Sequence, residues 1–105
     1  MKQSIHGNIE FDDEAVTDFC RRRKIVEMSL FGSVLRDDFG PESDVDILVS
    51  LRKDTGLSTF DFIAIRDELS AMIGRNVDLV DEDGLRNPYR RREILRTRRV
   101  IYDAA

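Results

Sequence analysis

The sequence contains a single cysteine, Cys20, which has no partner for an intrachain disulfide. Its apolar stretches are also short, only a few residues each, whereas a membrane-spanning helix needs ~20 consecutive apolar residues. The N-terminus does not join a basic segment to an apolar run of signal-peptide length. We therefore expect no membrane role and a reducing cytoplasm as the natural location.

The chain as a whole has no excess of basic residues. Lys and Arg number 17 against 21 Asp and Glu, a net charge of -4, so a broad basic surface for tracking nucleic acid is not indicated. The average hides an asymmetry, because residues 84–105, the basic tail, hold seven arginines against two acids. The tail therefore carries +5 and residues 1–83 carry -9. This tail can be a docking surface or simply a solvated helix face.

The overall composition is compatible with a folded chain. Charged residues make up 36% of the chain and hydrophobic residues 41%. The hydrophobic share is well above the apolar content at which chains stay disordered. A length of 105 residues is common for one domain with one hydrophobic core. We predict a single domain over residues 1–105, with no second catalytic module.

The first half of the chain predicts two helices and two strands. A helix runs from the N-cap Asp12 to Arg23, with one apolar face made of Ala15, Val16, Phe19 and Cys20. Phe11 precedes the N-cap, in position for a hydrophobic staple. Residues 25–31 predict a strand that stops at a glycine turn, where a short helix begins. After a loop over residues 37–43, residues 45–49 predict a central strand that is apolar on both faces.

The second half of the chain also predicts helices that alternate with strands. Ser58 and Asp61 have capping-box spacing at the start of a helix that ends at Gly74. Residues 76–80 predict a third strand, and Asn87-Pro88 begins a last helix. The order predicts an α/β (α+β) fold in which a small mixed sheet is flanked by helices.

Three aspartates stand out within apolar strands. Asp44 and Asp46 are separated by one residue, so both carboxylates project from the same face of a strand. Asp78 is a lone acid in the next strand. Such acids would repel one another unless a cation were bound, and an all-oxygen ligand set favours magnesium or manganese over zinc. We predict a metal site, with room for two ions, on Asp44, Asp46 and Asp78.

A candidate anion site precedes these acids. Gly32 permits close backbone approach where the first strand ends, and free amides with the Ser33 hydroxyl can bind a phosphate. Arg36 comes three residues after Ser33, so we expect it on the same side of the short helix, where it could supply a cation to the same phosphates. The pattern therefore predicts nucleotide binding at Gly32, Ser33 and Arg36.

The two sites together resemble a known signature. Phe31-Gly32-Ser33, ten further residues and Asp44-Val45-Asp46 resemble the motif of the polymerase-beta-like nucleotidyltransferase superfamily. Gly-Ser-x-x-Arg at 32–36 with Ser-Asp-x-Asp-Ile at 43–47 is most similar to its minimal nucleotidyltransferase (MNT) branch, and the resemblance covers nearly the whole chain. It implies triphosphate at the Gly-Ser pair, two metal ions on the Asp-x-Asp pair, and Asp78 as the third acid.

The resemblance also implies an activity and a partner. A hydroxyl acceptor would attack the α-phosphorus of a nucleoside triphosphate, with Mg²⁺ or Mn²⁺ as cofactor and release of pyrophosphate. Members of the MNT branch are often antitoxins that add AMP from ATP to a tyrosine of a HEPN-class RNase toxin. The chain is thus expected to be an ATP-dependent protein adenylyltransferase of a toxin–antitoxin pair.

Alternatives remain open on the residues alone. The domain could neutralise a partner by docking without chemistry, or act on a small molecule or nucleic acid, although such transferases usually carry an extra substrate domain. Oligomerisation is open as well. An Asp-x-Asp pair alone is more often a solvated turn, and Gly32, Ser33 or Arg36 alone would have a structural explanation. His6 has no neighbouring ligand residue, so we assign it no role.

Overall fold

The computed structural model describes residues 3–53 and 56–104. It begins with a hairpin of two strands, β1 (Gln3–His6) and β2 (Ile9–Asp12), followed by helix α1 (Asp13–Arg22) and strand β3 (Ile25–Phe31). A 3-10 helical turn, Gly32–Leu35, follows β3, and we call it the glycine turn.

After the glycine turn the chain passes through a loop into strand β4 (Val45–Leu51) and helix α2 (Thr59–Ile73). Strand β5 (Val77–Asp81) and a second 3-10 turn (Glu82–Gly84) come next. Helix α3 (Pro88–Thr97) and strand β6 (Arg99–Asp103) complete the described chain.

Four strands form one mixed sheet in the order β5-β4-β3-β6. β4 pairs in parallel with β5, while β3 is antiparallel to both β4 and β6. Alternate residues of β4 belong to two apolar clusters, Ile47 and Val49 to the larger and Leu48 to the smaller. Because side chains alternate along a strand, the clusters lie on opposite faces of the sheet. The predicted mixed sheet flanked by helices is therefore confirmed.

The helices cover both faces. α1 and α2 supply the larger cluster with their buried side chains, Val16, Phe19, Cys20, Ile65 and Leu69, and α3 supplies Ile94 to the smaller one. Cys20 is fully buried in the larger cluster, which confirms its predicted core position, and this burial raises the pKa of its thiol to about 12. No helix in the described residues is both long and apolar enough to cross a membrane.

The predicted helix signals agree with the structure at most ends. The Asp12 carboxylate accepts hydrogen bonds from the amides of Glu14 and Ala15, which confirms it as an N-cap. Ser58 and Asp61 form the predicted capping box, and Gly74 adopts the left-handed conformation that ends α2, with φ of +76°. Asn87 caps α3 ahead of Pro88.

Three expectations were wrong or incomplete. Ala15 is exposed rather than part of the apolar face of α1, because it lies roughly 90° around the helix axis from the middle of the buried stripe. Phe11 belongs to β2, and the hairpin was not predicted because its strands have only four residues each. β6 was also missed, since its exposed edge position removes the alternation that marks a half-buried strand.

Candidate active site

The three predicted acids come together at one end of the central strands. Asp46 is the second residue of β4 and Asp78 the second residue of β5, and the parallel pairing makes them direct partners. Asp44 directly precedes β4 and is exposed. Partners on adjacent parallel strands project from the same face, so the Asp46 and Asp78 carboxylates share one surface.

Asp46 is at the electrostatic centre of this group. Burial is the main cause that raises the pKa of its carboxyl above the ordinary value, and the neighbouring charges of Asp78 and Asp44 raise it further. Arg36 and Arg90 act in the opposite direction and lower the pKa of Asp46. Two arginines therefore partly offset the effects of burial and of the neighbouring acids on the Asp46 carboxyl.

The glycine turn lies directly against Asp46. Gly32 has a φ of +74°, and a Cβ built on it would be 2.2 Å from Asp46 Oδ2. Real Cβ atoms do not approach a heavy atom so closely, so only glycine fits here without displacing the carboxylate. The predicted phosphate site and the predicted metal site therefore adjoin one another.

The short helix predicted after β3 is the glycine turn itself. It is a four-residue 3-10 turn closed by the Arg36 amide donating to Ser33 O at 2.9 Å, so it carries little helix dipole. An anion there would be bound by individual amides and the Ser33 hydroxyl. The expectation that Arg36 shares a helix side with Ser33 was wrong, because Arg36 follows the turn in an extended conformation. Arg36 is exposed and pairs with Asp38 at 3.2 Å between Nε and Oδ1.

Asn8, in the β1–β2 turn, was not identified from the sequence. Its backbone amide and its Nδ2 both donate to Val34 O, at 3.0 and 2.8 Å, and Nδ2 also donates to Arg36 O at 2.7 Å. Gly7 permits this contact, because a Cβ there would be 2.6 Å from Val34 O. The hairpin thus holds the far end of the glycine turn, by contacts 26 and 28 residues apart that no local pattern reveals.

A groove of about 360 Å³ separates the glycine turn from α3. The side chains and backbone that line it are Phe31, Gly32, Leu35, Arg36, Glu93, Ile94 and Thr97. Gly32, which also lies against Asp46, is one of these lining residues, and the walls of the groove are more apolar than polar.

The arginines of the basic tail have different contacts and exposures. Arg91 donates to Glu82 O, Arg96 pairs with Glu93, and Arg98 pairs with Glu27. The charge of Arg90 lowers the pKa of the Asp46 carboxyl, an effect that charge counting did not assign to it. Arg86 and Arg92 are exposed or partly exposed.

Other titratable residues have structural contacts. His6 bonds through Nε2 to Asp13 Oδ1 at 2.8 Å and stacks on the Phe11 ring at 4.6 Å. In the described residues, no group of three or more His, Cys, Asp or Glu side chains is arranged so that it could hold a metal ion.

Comparison with known proteins identifies the family. The family model described as "Nucleotidyltransferase domain" matches residues 13–101. A protein of Methanocaldococcus jannaschii described as a candidate protein adenylyltransferase is 31% identical over 71 residues, 68% of this chain and 71% of that protein. The protein adenylyltransferase MntA of Thermococcus cleftensis is 38% identical over 61 residues, 58% of this chain and 60% of MntA.

Solved structures share the fold. One described as a candidate minimal nucleotidyltransferase has a TM-score of 0.69 and 34% identity, covering 83% of this chain and 86% of its own. A toxin–antitoxin structure with AMP-PNP has a TM-score of 0.70 at 21% identity, covering 88% of this chain and 73% of its own. A complex of tri-AMPylated Shewanella oneidensis HEPN toxin with MNT antitoxin has a TM-score of 0.59 at 23% identity, covering 87% and 69%.

The family match covers the glycine turn, all three acids and the sheet that brings them together. The predicted resemblance is therefore confirmed, and this chain belongs to the nucleotidyltransferase domain family.

Proposed function

We propose that this chain is an active protein adenylyltransferase that moves AMP from ATP to a tyrosine hydroxyl of a HEPN-type toxin and thereby acts as its antitoxin. The observation that carries the proposal is the contact of Gly32 with the Asp46 carboxylate, beside Asp78, because a triphosphate and its metal must meet at one point. The relatives named protein adenylyltransferase support the reaction type. The complex of AMPylated HEPN toxin with MNT antitoxin supports the partner.

In the proposed complex the phosphates of ATP lie at the glycine turn. The amides of Gly32 and Ser33, with the Ser33 hydroxyl, bind phosphate oxygens, and Arg36 neutralises part of their charge. These contacts hold the α-phosphorus in line with the incoming hydroxyl, which contributes to the rate through orientation.

Asp44, Asp46 and Asp78 are the proposed ligands of Mg²⁺, with Mn²⁺ as a substitute. No three carboxylates in the described part of the chain form a group that could hold an ion by themselves, so the proposed site requires oxygens from the substrate. The donor chemistry fits, because carboxylates are oxygen ligands and Mg²⁺ in phosphoryl transfer is bound by one or two carboxylates together with substrate phosphates. When bound, Mg²⁺ would acidify the acceptor hydroxyl and neutralise the leaving pyrophosphate. Two ions would form the arrangement that polymerases use for in-line displacement at phosphorus.

The proposed reaction balances without a further reactant. The acceptor oxygen forms a bond to the α-phosphorus, the bond from that phosphorus to the bridging oxygen of the β-phosphate breaks, and pyrophosphate leaves. Asp78 has one of two roles: it binds the first ion, in which case water takes the proton of the hydroxyl, or its exposed carboxylate accepts that proton directly. The groove beside Gly32 provides a route for the aromatic ring that carries the hydroxyl.

The experiment is to incubate the full chain with ATP labelled at the α-phosphate, Mg²⁺ and a HEPN partner, and to follow label onto the partner. Transfer by wild type and loss of transfer in Asp46→Asn are expected. If the domain neutralises the toxin by docking alone, the Asp46→Asn variant will protect against the toxin as well as wild type does, and neither will transfer label to the partner. Label on RNA or on a small hydroxyl compound, with none on the partner, would instead favour the alternative acceptors.

A further inference from the structure

Arg75 lies between α2 and β5 and reaches across to the loop that leads into Asp44. Its Nη2 donates to Gly40 O at 2.6 Å and to Ser43 O at 2.7 Å. The guanidinium carbon lies 4.5 Å from the centroid of the Phe39 ring, in a cation–π contact. One arginine therefore contacts three residues of the same loop, 32 to 36 positions earlier in the sequence.

The bond to Ser43 O acts directly on Asp44. The carbonyl of Ser43 and the amide nitrogen of Asp44 belong to one planar peptide unit, so fixing the carbonyl also fixes the direction of the chain at Asp44. On the other side, the Val45 amide donates to Asn76 O at 2.9 Å, which ties the start of β4 to the residue after Arg75. Asp44 is thus held between two anchors that both come from residues 75 and 76.

The loop needs such an anchor because of its charge. Residues 37–44 contain four acids and no basic residue. The internal bonds of the loop, from the Gly40 amide to Ser43 Oγ at 3.0 Å and from the Ser43 amide to Gly40 O at 3.1 Å, close a small turn. They do not join that turn to the segment between α2 and β5, whereas Arg75 does. Arg75 also places a positive charge against this acidic loop.

Lysine could not do the same work. The planar guanidinium presents donors in a rigid fork and stacks on an aromatic face, while an ammonium group is a compact, strongly hydrated point charge. Substitution by lysine would keep the charge but lose the geometry that joins Phe39, Gly40 and Ser43.

From these contacts we infer that Arg75 is a positioning residue for Asp44: it fixes the peptide before Asp44 so that this carboxylate is directed at the metal of the proposed reaction. The inference rests on the proposed function, since it takes Asp44 to be a metal ligand. Arg75 itself needs no contact with the nucleotide or the acceptor.

The test measures binding of Mn²⁺ in the presence of AMP-PNP, by electron paramagnetic resonance of the free ion, without any turnover. The variants are Arg75→Lys, Asp44→Asn and the double variant, with Arg66→Lys as control. Arg66 is an exposed arginine of α2 whose salt bridge is to its neighbour Asp67. Arg75→Lys is expected to weaken Mn²⁺ binding about tenfold, the lower end for residues that orient a metal ligand. Arg66→Lys should leave the affinity unchanged.

The double variant separates positioning from general stability. If Arg75 acts through Asp44, Arg75→Lys has no further effect on Mn²⁺ affinity in the Asp44→Asn background, although it still lowers the thermal midpoint. Equal losses in both backgrounds, or an unchanged affinity in Arg75→Lys, would overturn the inference.

The proposed function is judged separately by the wild type. Wild type that binds Mn²⁺ but transfers no label would refute the transferase proposal and leave the Arg75 result intact. Wild type that binds no Mn²⁺ with AMP-PNP would refute the metal assignment, and the role of Arg75 with it.

Discussion

A Cβ atom on Gly32 would lie 2.2 Å from Asp46 Oδ2, so the backbone of the glycine turn and the half-buried carboxylate occupy adjoining space. The two residues are 14 positions apart in the chain, and the antiparallel pairing of Phe31 with Asp46 brings them together. The glycine turn and the Asp46 carboxylate, one from each half of the sequence motif, therefore restrict each other's position.

Gly32→Ala is expected to abolish nucleotidyl transfer and to destabilise the fold. The φ of +74° costs a residue with a side chain roughly 1–2 kcal/mol, and the new methyl group must also displace Asp46. Gly74→Ala is the matched control, because its φ is +76° but the space around it is open. Urea denaturation should show a loss in both variants, with transfer lost only in Gly32→Ala; a fully active Gly32→Ala would contradict the proposed site.

Asp46→Asn is expected to reduce transfer by on the order of a thousandfold, since several kcal/mol of metal-dependent stabilisation would be lost. The fold should be retained or stabilised. The raised pKa of Asp46 means that wild type is most stable with this carboxyl protonated, and that stability is lost as pH rises through the folded-state pKa. The stability advantage of Asp46→Asn over wild type should therefore grow with pH, as denaturation at several pH values can establish. An Asp46→Asn variant less stable than wild type at pH 7 would contradict the conclusion that burial and the neighbouring acids destabilise the ionised carboxylate.

Ser33→Ala removes one oriented donor from the proposed phosphate site. The rate of transfer is expected to fall by on the order of a hundredfold, the usual cost of such a group. Steady-state kinetics with labelled ATP measure it, and Ser50→Ala on β4 serves as a control remote from the turn. Full activity and unchanged ATP affinity in Ser33→Ala would mean that the phosphates bind elsewhere.

Asn8→Ala tests the support of the glycine turn by the hairpin. Loss of the two Nδ2 bonds to Val34 O and Arg36 O should cost on the order of 1 kcal/mol in stability and weaken nucleotide binding severalfold, because the turn is freed at its far end. Glu10→Ala, an exposed change in the same hairpin, is the control. Isothermal titration with AMP-PNP measures the effect; equal affinities in both variants would show that the hairpin does not hold the phosphate site.

The combined reversal Arg86→Glu/Arg92→Glu tests the basic tail as a docking surface. Neither side chain is buried, whereas Arg91 donates to Glu82 O and the charge of Arg90 lowers the pKa of the Asp46 carboxyl, so these two are left unchanged. Association with an acidic or tyrosine-presenting helical partner should slow, most strongly at low salt. Stopped-flow or surface-based kinetics measure this.

The control for that reversal is Arg21→Glu/Arg66→Glu, which changes the total charge equally on α1 and α2. Transfer to small hydroxyl acceptors should survive in both double variants. Tight, salt-resistant RNA binding by wild type that disappears in Arg86→Glu/Arg92→Glu would instead favour a nucleic-acid acceptor.

Local signals in the sequence were sufficient for most of the fold. The capping box of Ser58 and Asp61, the N-caps Asp12 and Asn87 and the stop at Gly74 are interactions within a few residues, and each was predicted at its observed place. β4 was predicted to be central because it is apolar on both faces. The hairpin was missed because its strands have only four residues each, too few for the alternation of β2 to mark a strand, and β6 was missed because its exposed edge position removes the alternation.

The sequence by itself determined which residues are candidates for the two halves of the proposed nucleotidyl-transfer site, because a glycine turn after one strand and acids in the next two follow from spacing alone. Only the tertiary structure decided how they meet. The contacts of Gly32 with Asp46, Asn8 with the turn and Arg75 with the loop before Asp44 join residues 14 to 36 positions apart. Such contacts depend on strand pairing and packing, which no local pattern encodes.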